Sequence, residues 1–236
     1  MSESQAIPWK RLSAEGVAIV VSILLAFWID AWWGTQKDIA EEREILVGLE
    51  AEFVDLSARL DGLSKMNREG TVLIDNYLSD SVVEMSPISV EQLFVFAYYV
   101  NVLDQGGALD ALLASGRLEK VAARDIRARL AKWPDWLEDM HTNDLSFRDY
   151  AFREILPFLT GHGIPKAVCA DGEIWCSQSG SISPIYLELA NDPEWRAMLI
   201  IRRGTMLISA VDQESAISES DQLLAMIRIR LDEIGR

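Results

Sequence analysis

The sequence predicts an all-α protein: a single N-terminal transmembrane helix that continues into a helical stalk and then an antiparallel helical bundle. Three observations carry this. Gly16 to Ile29 is an uncharged apolar run. Downstream, apolar residues recur at alternating spacings of three and four, the helical period. Signals for irregular or hairpin structure are confined to one short stretch, 160–184. The expected organisation is a tail over 1–14, an anchor over 15–36, a stalk over 37–69 and a bundle over 70–236.

The fourteen residues from Gly16 to Ile29 make about 21 Å of helix, short of the ~30 Å hydrocarbon core, so the flanks must complete the crossing. Trp9 lies before the run, and Trp28, Trp32 and Trp33 close it, as interfacial anchors do. From Leu12 to Gln36 the only charges are Glu15 and Asp30. No small-x-small site follows the run, so an uncleaved signal-anchor is expected. The short basic tail with Lys10 and Arg11 favours a cytoplasmic N-terminus, against Lys37 and Arg43 on the other flank. In a bacterium this places the large domain in the periplasm.

Leu46, Leu49, Phe53, Leu56, Leu60 and Leu63 form a 3-4-3-4-3 seam in a segment, 38–66, that holds no proline. The seam suits either a coiled coil or packing inside one bundle, and the intrachain version is preferred. Gly70 is expected to end or bend this helix. After the loop at Ser86-Pro87, Ser89-Val-Glu-Gln92 resembles a capping box. It opens a helix through Leu103 whose run Leu93–Val100 is the expected centre of the core. Gly106-Gly107 breaks it, and Leu109–Ala114 is a short helix closed by Ser115-Gly116, where glycine can adopt the left-handed cap.

A helical pattern follows from Leu118 to about Leu159. Asp125 is the expected cap, Pro134 a kink or restart, and Pro157 the stop. Within 160–184, Asp171-Gly172 suits a two-residue hairpin turn. Cys169 and Cys176 are a possible disulfide, in keeping with an oxidising compartment; it needs a longer loop or a bulge, because the simple register sets Cys169 opposite Ile174. Asp192-Pro193 starts the last helix, 193–234, which is long enough to run back along the stalk.

The pattern Glu15…Val20-Val21-x-Ile23-Leu24-Leu25-Ala26-x-x-Ile29-Asp30-x-Trp32 resembles the N-terminus of an uncharacterised bacterial family. Its members share one span, E-(I/V)-x-L-V-V-x-G-I-L-I-A-L-x-I-(N/D)-x-W, followed by a helical domain of unknown function. Here Ser22 replaces the usual glycine and Gly16 the usual aliphatic. Further echoes are Leu112-x-x-Ser115-Gly116-x-Leu118, Ile126-Arg127-x-x-Leu130 and Leu189-x-Asn191-Asp192-Pro193-Glu194-Trp195. The resemblance implies an inner-membrane protein with a cytoplasmic N-terminus and brings no activity with it.

The formal charge of −15 opposes binding to nucleic acid and to anionic lipid headgroups. Neither histidine, His141 or His162, belongs to a helical two-histidine metal motif, and no phosphate loop, dinucleotide fingerprint or nucleophile elbow occurs. A metal site from His162, Cys169 and Cys176 is less favoured than a disulfide or free thiols. Asp135, Glu138, Asp139 and Asp144 read as an exposed acidic helix face. Arg202-Arg203 reads as pairing with acidic neighbours in the bundle. No enzyme activity and no cofactor are expected.

At 100° per residue, Glu15, Ser22, Ala26 and Asp30 fall within an arc of about 80° on the anchor. The first functional expectation is a scaffold or accessory subunit whose partners are the bilayer and either further copies of itself or another membrane complex. The second is a homo-oligomeric cation pore or sensor lined by that stripe.

Overall fold

The computed structural model describes the backbone of residues 9–15 and the whole of residues 16–79, 97, 107–162 and 188–235. Among the described residues every regular element is helical. Helix α1 spans Trp9–Leu78, 70 residues, or about 105 Å of continuous helix. The helix passes through Gly70 without ending, so of the expected end or bend the end does not occur. Gly70 lies on the buried face, where packing offsets the ~1 kcal/mol that glycine costs a helix.

Helix α2 is Ala108–Ala114. Gly116 takes a left-handed φ of 68° and turns the chain into the 3-10 turn Arg117–Lys120. Helix α3, Arg124–Tyr150, is capped by Ala123 rather than Asp125; Asp125 sits in the first turn, where its charge still suits the helix dipole. Pro134 lies inside α3 and neither stops nor restarts it. A π turn, Ala151–Ile155, leads into α4, Leu156–Gly161. Pro157 has no N–H and its ring crowds the carbonyl one turn back, so the widened turn gives it room and the helix goes on past the expected stop.

Helix α5 is Pro193–Ile234. Its start is as read from the sequence: the Asp192 carboxylate accepts the amides of Glu194 and Trp195 at 2.8 and 2.9 Å. Helix α5 runs antiparallel to α1. Paired residues ascend on one helix as they descend on the other, from Glu50–Arg228 through Ser57–Ser220 and Asn67–Gln213 to Asp75–Arg203.

The seam residues Leu46, Leu49, Phe53, Leu56, Leu60 and Leu63 are all buried, and they pack against Trp133 and Leu130 of α3 and Leu223 and Ile227 of α5. The Phe53 and Trp133 rings meet edge-on with centroids 4.8 Å apart. A second cluster, with Ile74, Tyr77, Phe147, Ile155 and Trp195, fills the far end. Between the two lies a polar layer. Asn67 donates to Gln213 at 3.1 Å in a buried bond, and Glu214 accepts from Ser64 and Arg68. Such paired polar groups stabilise little but set the register of two otherwise apolar helices.

The capping box at Ser89–Gln92, the run Leu93–Val100 apart from buried Ala97, and the hairpin with Cys169 and Cys176 lie outside the described residues.

Candidate functional site

Two regions of α1 carry the functional questions: the segment outside the bundle, and the point where the bundle takes hold of it. From Gly16 to Asp38 every residue is exposed. Within this segment Val17, Leu24, Phe27, Trp28 and Trp33 are each more than 60% exposed, in contrast to the buried seam that begins two turns later. The chain has one described helix long and apolar enough to cross a membrane, and this is its apolar part.

The predicted stripe stands out on that bare helix. Ser22, Ala26 and Asp30 are exposed. The Ser22 hydroxyl donates to the Ala18 carbonyl at 2.8 Å, so its proton is already used within its own helix. Thr35 does the same to Ala31 at 3.0 Å. Trp32 and Trp33 lie tilted against each other, centroids 5.9 Å apart, on the bundle side of the apolar run, with Trp28 one turn before. Of Trp9 and Glu15 the backbone alone is described, and both are within α1.

The bundle grips α1 at Asp38, Glu41 and Glu42. Lys120 lies 3.3 Å from both Asp38 and Glu41, and Arg117 donates to Glu41 at 2.7 Å. Glu42 is buried, and its two oxygens accept from Arg230 of α5 at 3.2 and 2.8 Å and from the Ala122 amide at 2.9 Å. Burial alone would raise the Glu42 carboxyl. The donors from Arg230 and Ala122 outweigh it and hold the group below the ordinary carboxylate range. One carboxylate thus ties together α1, the link between the 3-10 turn and α3, and the end of α5.

Sequence reasoning did not single out this clamp, although a signal existed. Glu42 lies four residues before Leu46, so it continues the 3–4 seam by one step. A carboxylate on a buried seam demands a buried partner. A little higher, Glu52 accepts the Leu109 amide at 2.9 Å and so caps α2 from α1. An added Cβ on Gly107 would fall 2.3 Å from the Glu52 carboxylate, so this close approach depends on glycine.

At the far end, Asp144 corrects the acidic-face reading. Asp135, Glu138 and Asp139 are exposed, but Asp144 is buried. Nine residues at 100° put it opposite Asp135, on the face of α3 shared by Ile126, Leu130 and Trp133. Burial raises its carboxyl, opposed by a bond from Ser209 at 3.2 Å and the charge of Arg202. Arg202 is buried with its guanidinium 4.2 Å from the centre of the Phe147 ring, and burial lowers it to about 10. Arg203 pairs with Asp75 of α1, in accord with the sequence reading.

Beside this cluster a half-open groove of about 260 Å³ runs between α3 and α5, lined by Phe147, Tyr150, Ile201 and Ile208 with Asn143, Ser146, Thr205 and Ser209. The His162 ring lies tilted against Phe158, centroids 4.2 Å apart, and bonds the Phe158 carbonyl at 2.9 Å. Among the described residues no group of three metal-ligating side chains comes together.

Comparison with known proteins adds no assignment: no family model, curated protein or solved structure matches the chain.

Proposed function

We propose that the chain is a non-enzymatic, single-pass membrane protein that holds its helical bundle as a scaffold or accessory subunit at a fixed height above the bilayer. The observation that carries this is the continuity of α1. Its bare apolar segment and the main strut of the bundle are one unbroken helix.

Insertion of that segment is favourable by simple accounting. Residues 16–33 hold nine Val, Ile, Leu and Phe side chains, worth about −0.3 to −0.6 kcal/mol each, or about −3 to −5 kcal/mol together. Asp30 lies at the edge of the run, where a carboxylate costs less than the ~2.5–3.5 kcal/mol of the bilayer centre. The basic tail and the N-terminal resemblance favour a bacterial inner membrane, with the bundle in the periplasm.

A strut without a hinge sets where a partner meets the protein. Leu78 stands about 68 Å along the helix from Trp33. Near that level, the exposed Ile201 and Ile208 of α5 line the groove and, with exposed Ile200, supply apolar contact area for another chain. The competing reading is a homo-oligomeric cation pore lined by Glu15, Ser22, Ala26 and Asp30. It draws less support, because the Ser22 proton is committed to Ala18 rather than offered to a lumen.

The test is the mass of the complex extracted gently from its own membranes, with copy number and co-purifying chains. The scaffold reading predicts the chain in fixed ratio with other membrane proteins, or a homo-oligomer without conductance. A closed homo-oligomer that conducts cations, with conductance altered by Asp30→Asn, contradicts it.

A further inference from the structure

The charge that argues against lipid headgroups for the chain as a whole is unevenly placed. The three segments that meet at the clamp, 37–44, 117–127 and 228–235, carry eight Lys and Arg against eight Asp and Glu. The rest of the chain carries 14 against 29, so the whole formal excess of −15 lies elsewhere. The clamp covers two of its three α1 carboxylates, Glu41 and Glu42, leaves Asp38 69% exposed, and shows Lys120 and Arg117. Glu42 and Glu41 side chains are 3% and 24% exposed, whereas Lys120 and Arg117 are 39% and 51% exposed. Arg124 is exposed beside them, as are Asp125 and, in the turn itself, Glu119.

Height along α1 decides what these cations meet. If the span ends near Gln36, Asp38 stands about 3 Å and Glu41 about 7.5 Å beyond it. The polar layer on each side of a bilayer is about 5–7 Å deep. Lys120, bonded to Asp38 and Glu41, therefore lies at its depth, and Arg117, bonded to Glu41, at its outer edge. Acidic residues from Asp55 onward on α1 are about 25 Å further along, more than twice the ~8–10 Å screening length of physiological salt. Their repulsion does not reach the headgroups.

We infer that the base of the bundle is a second membrane-contact surface: the 3-10 turn Arg117–Lys120 rests in the phosphate layer, with Arg117 and Lys120 shared between the α1 carboxylates and anionic phospholipid headgroups. The inference rests on the reading of residues 15–36 as the membrane anchor. Its consequence is a bundle seated on the membrane at two places, through the span and through the turn, which removes much of the freedom to tilt that a single helix leaves.

Hydrogen exchange of the full chain in lipid discs tests this, with discs of zwitterionic lipid alone compared with discs rich in anionic phospholipid. Exchange in 115–124 is expected to slow several-fold in the anionic discs, while 16–33 is protected in both and 46–63 is unchanged. R117Q with K120Q should abolish the lipid dependence, and K120R alone should keep it. The neutral pair guards against a charge reversal that unfolds the base, and protection over 46–63 reports folding directly. Equal exchange of 115–124 in both discs, with 16–33 protected, overturns the headgroup contact alone. Unprotected 16–33 overturns the span and with it this inference.

Discussion

Replacing Glu42 with alanine removes the one carboxylate that joins three elements at the base of the bundle. Breaking a buried ion pair from one side typically costs about 3–5 kcal/mol, because the other charge is left buried. Here the cost is lower. The Arg230 side chain is 26% exposed and also reaches Glu233 at 3.1 Å, so it keeps a partner and some water. The loss then amounts to the two charge-assisted bonds to Arg230 and the one to the Ala122 amide, less what water restores, or about 2–3 kcal/mol. For a domain of about 200 residues that lowers the melting temperature by roughly 5–10 °C. The assay is thermal unfolding of the full chain in mild detergent, followed by circular dichroism. It is read at neutral pH and again in acid.

The pH dependence carries its own sign. Glu42 is held below its ordinary value in the folded chain, so the stabilisation is present above the unfolded value near 4.5 and fades as pH falls through the lower folded value. The gap between wild type and Glu42→Ala should therefore close in acid. A double-mutant cycle with Arg230→Met should return a coupling of about 1–2 kcal/mol. A Glu42→Ala protein that melts within 1 °C of wild type at neutral pH refutes the clamp, whatever its acid behaviour.

Three further perturbations probe the rest of the fold by the same melt. Phe53→Ala empties a fully buried position against Trp133 and should cost about 3–5 kcal/mol; a loss below 1 kcal/mol would mean the seam is not the core. Asp192→Ala removes both cap bonds of α5 and should cost about 1 kcal/mol, with most of it recovered in Asp192→Asn. Asp144 has the opposite sign from Glu42. Burial raises its carboxyl, so its contribution is largest below the ordinary carboxyl value and declines as pH rises through the raised one. Asp144→Asn should flatten that decline, and an unchanged pH profile counts against burial as its cause.

Much of this architecture is written in periodicity. The seam from Leu46 to Leu63 identified a buried face, and Asp192-Pro193 and Ser115-Gly116 marked a helix start and a helix end through local hydrogen bonding that needs no tertiary context. What the pattern left open was where local and tertiary preferences disagree. Gly70 and Pro134 are helix breakers by propensity, yet both sit inside helices, because cross-helix burial outweighs one poor residue in a 70- or 27-residue element.

The site divides in the same way. An apolar run with tryptophans at its ends is visible in one dimension, since its meaning depends only on composition and length. The clamp of Glu42, Arg230 and the 3-10 turn joins residues up to 188 apart, and no local spacing announces it. Half of it was nonetheless inferable. Glu42 falls on the apolar seam, and Asp144 falls on the apolar face of α3, so each carboxylate declared its burial by angle alone. The identity of the partner is what the angle could not supply.

The central claim is that residues 16–33 cross a bilayer while the rest of α1 stands outside it. Flotation of native membranes through a density gradient at alkaline carbonate pH tests it most directly, with wild type beside Leu24→Arg. Leu24 is exposed and far from the bundle, so the substitution leaves the fold intact while adding about 2.5–3.5 kcal/mol to insertion. The account predicts that the wild-type chain floats with the lipid and that Leu24→Arg shifts towards the soluble fraction with an unchanged melt. A wild-type chain released intact and monomeric by carbonate contradicts it.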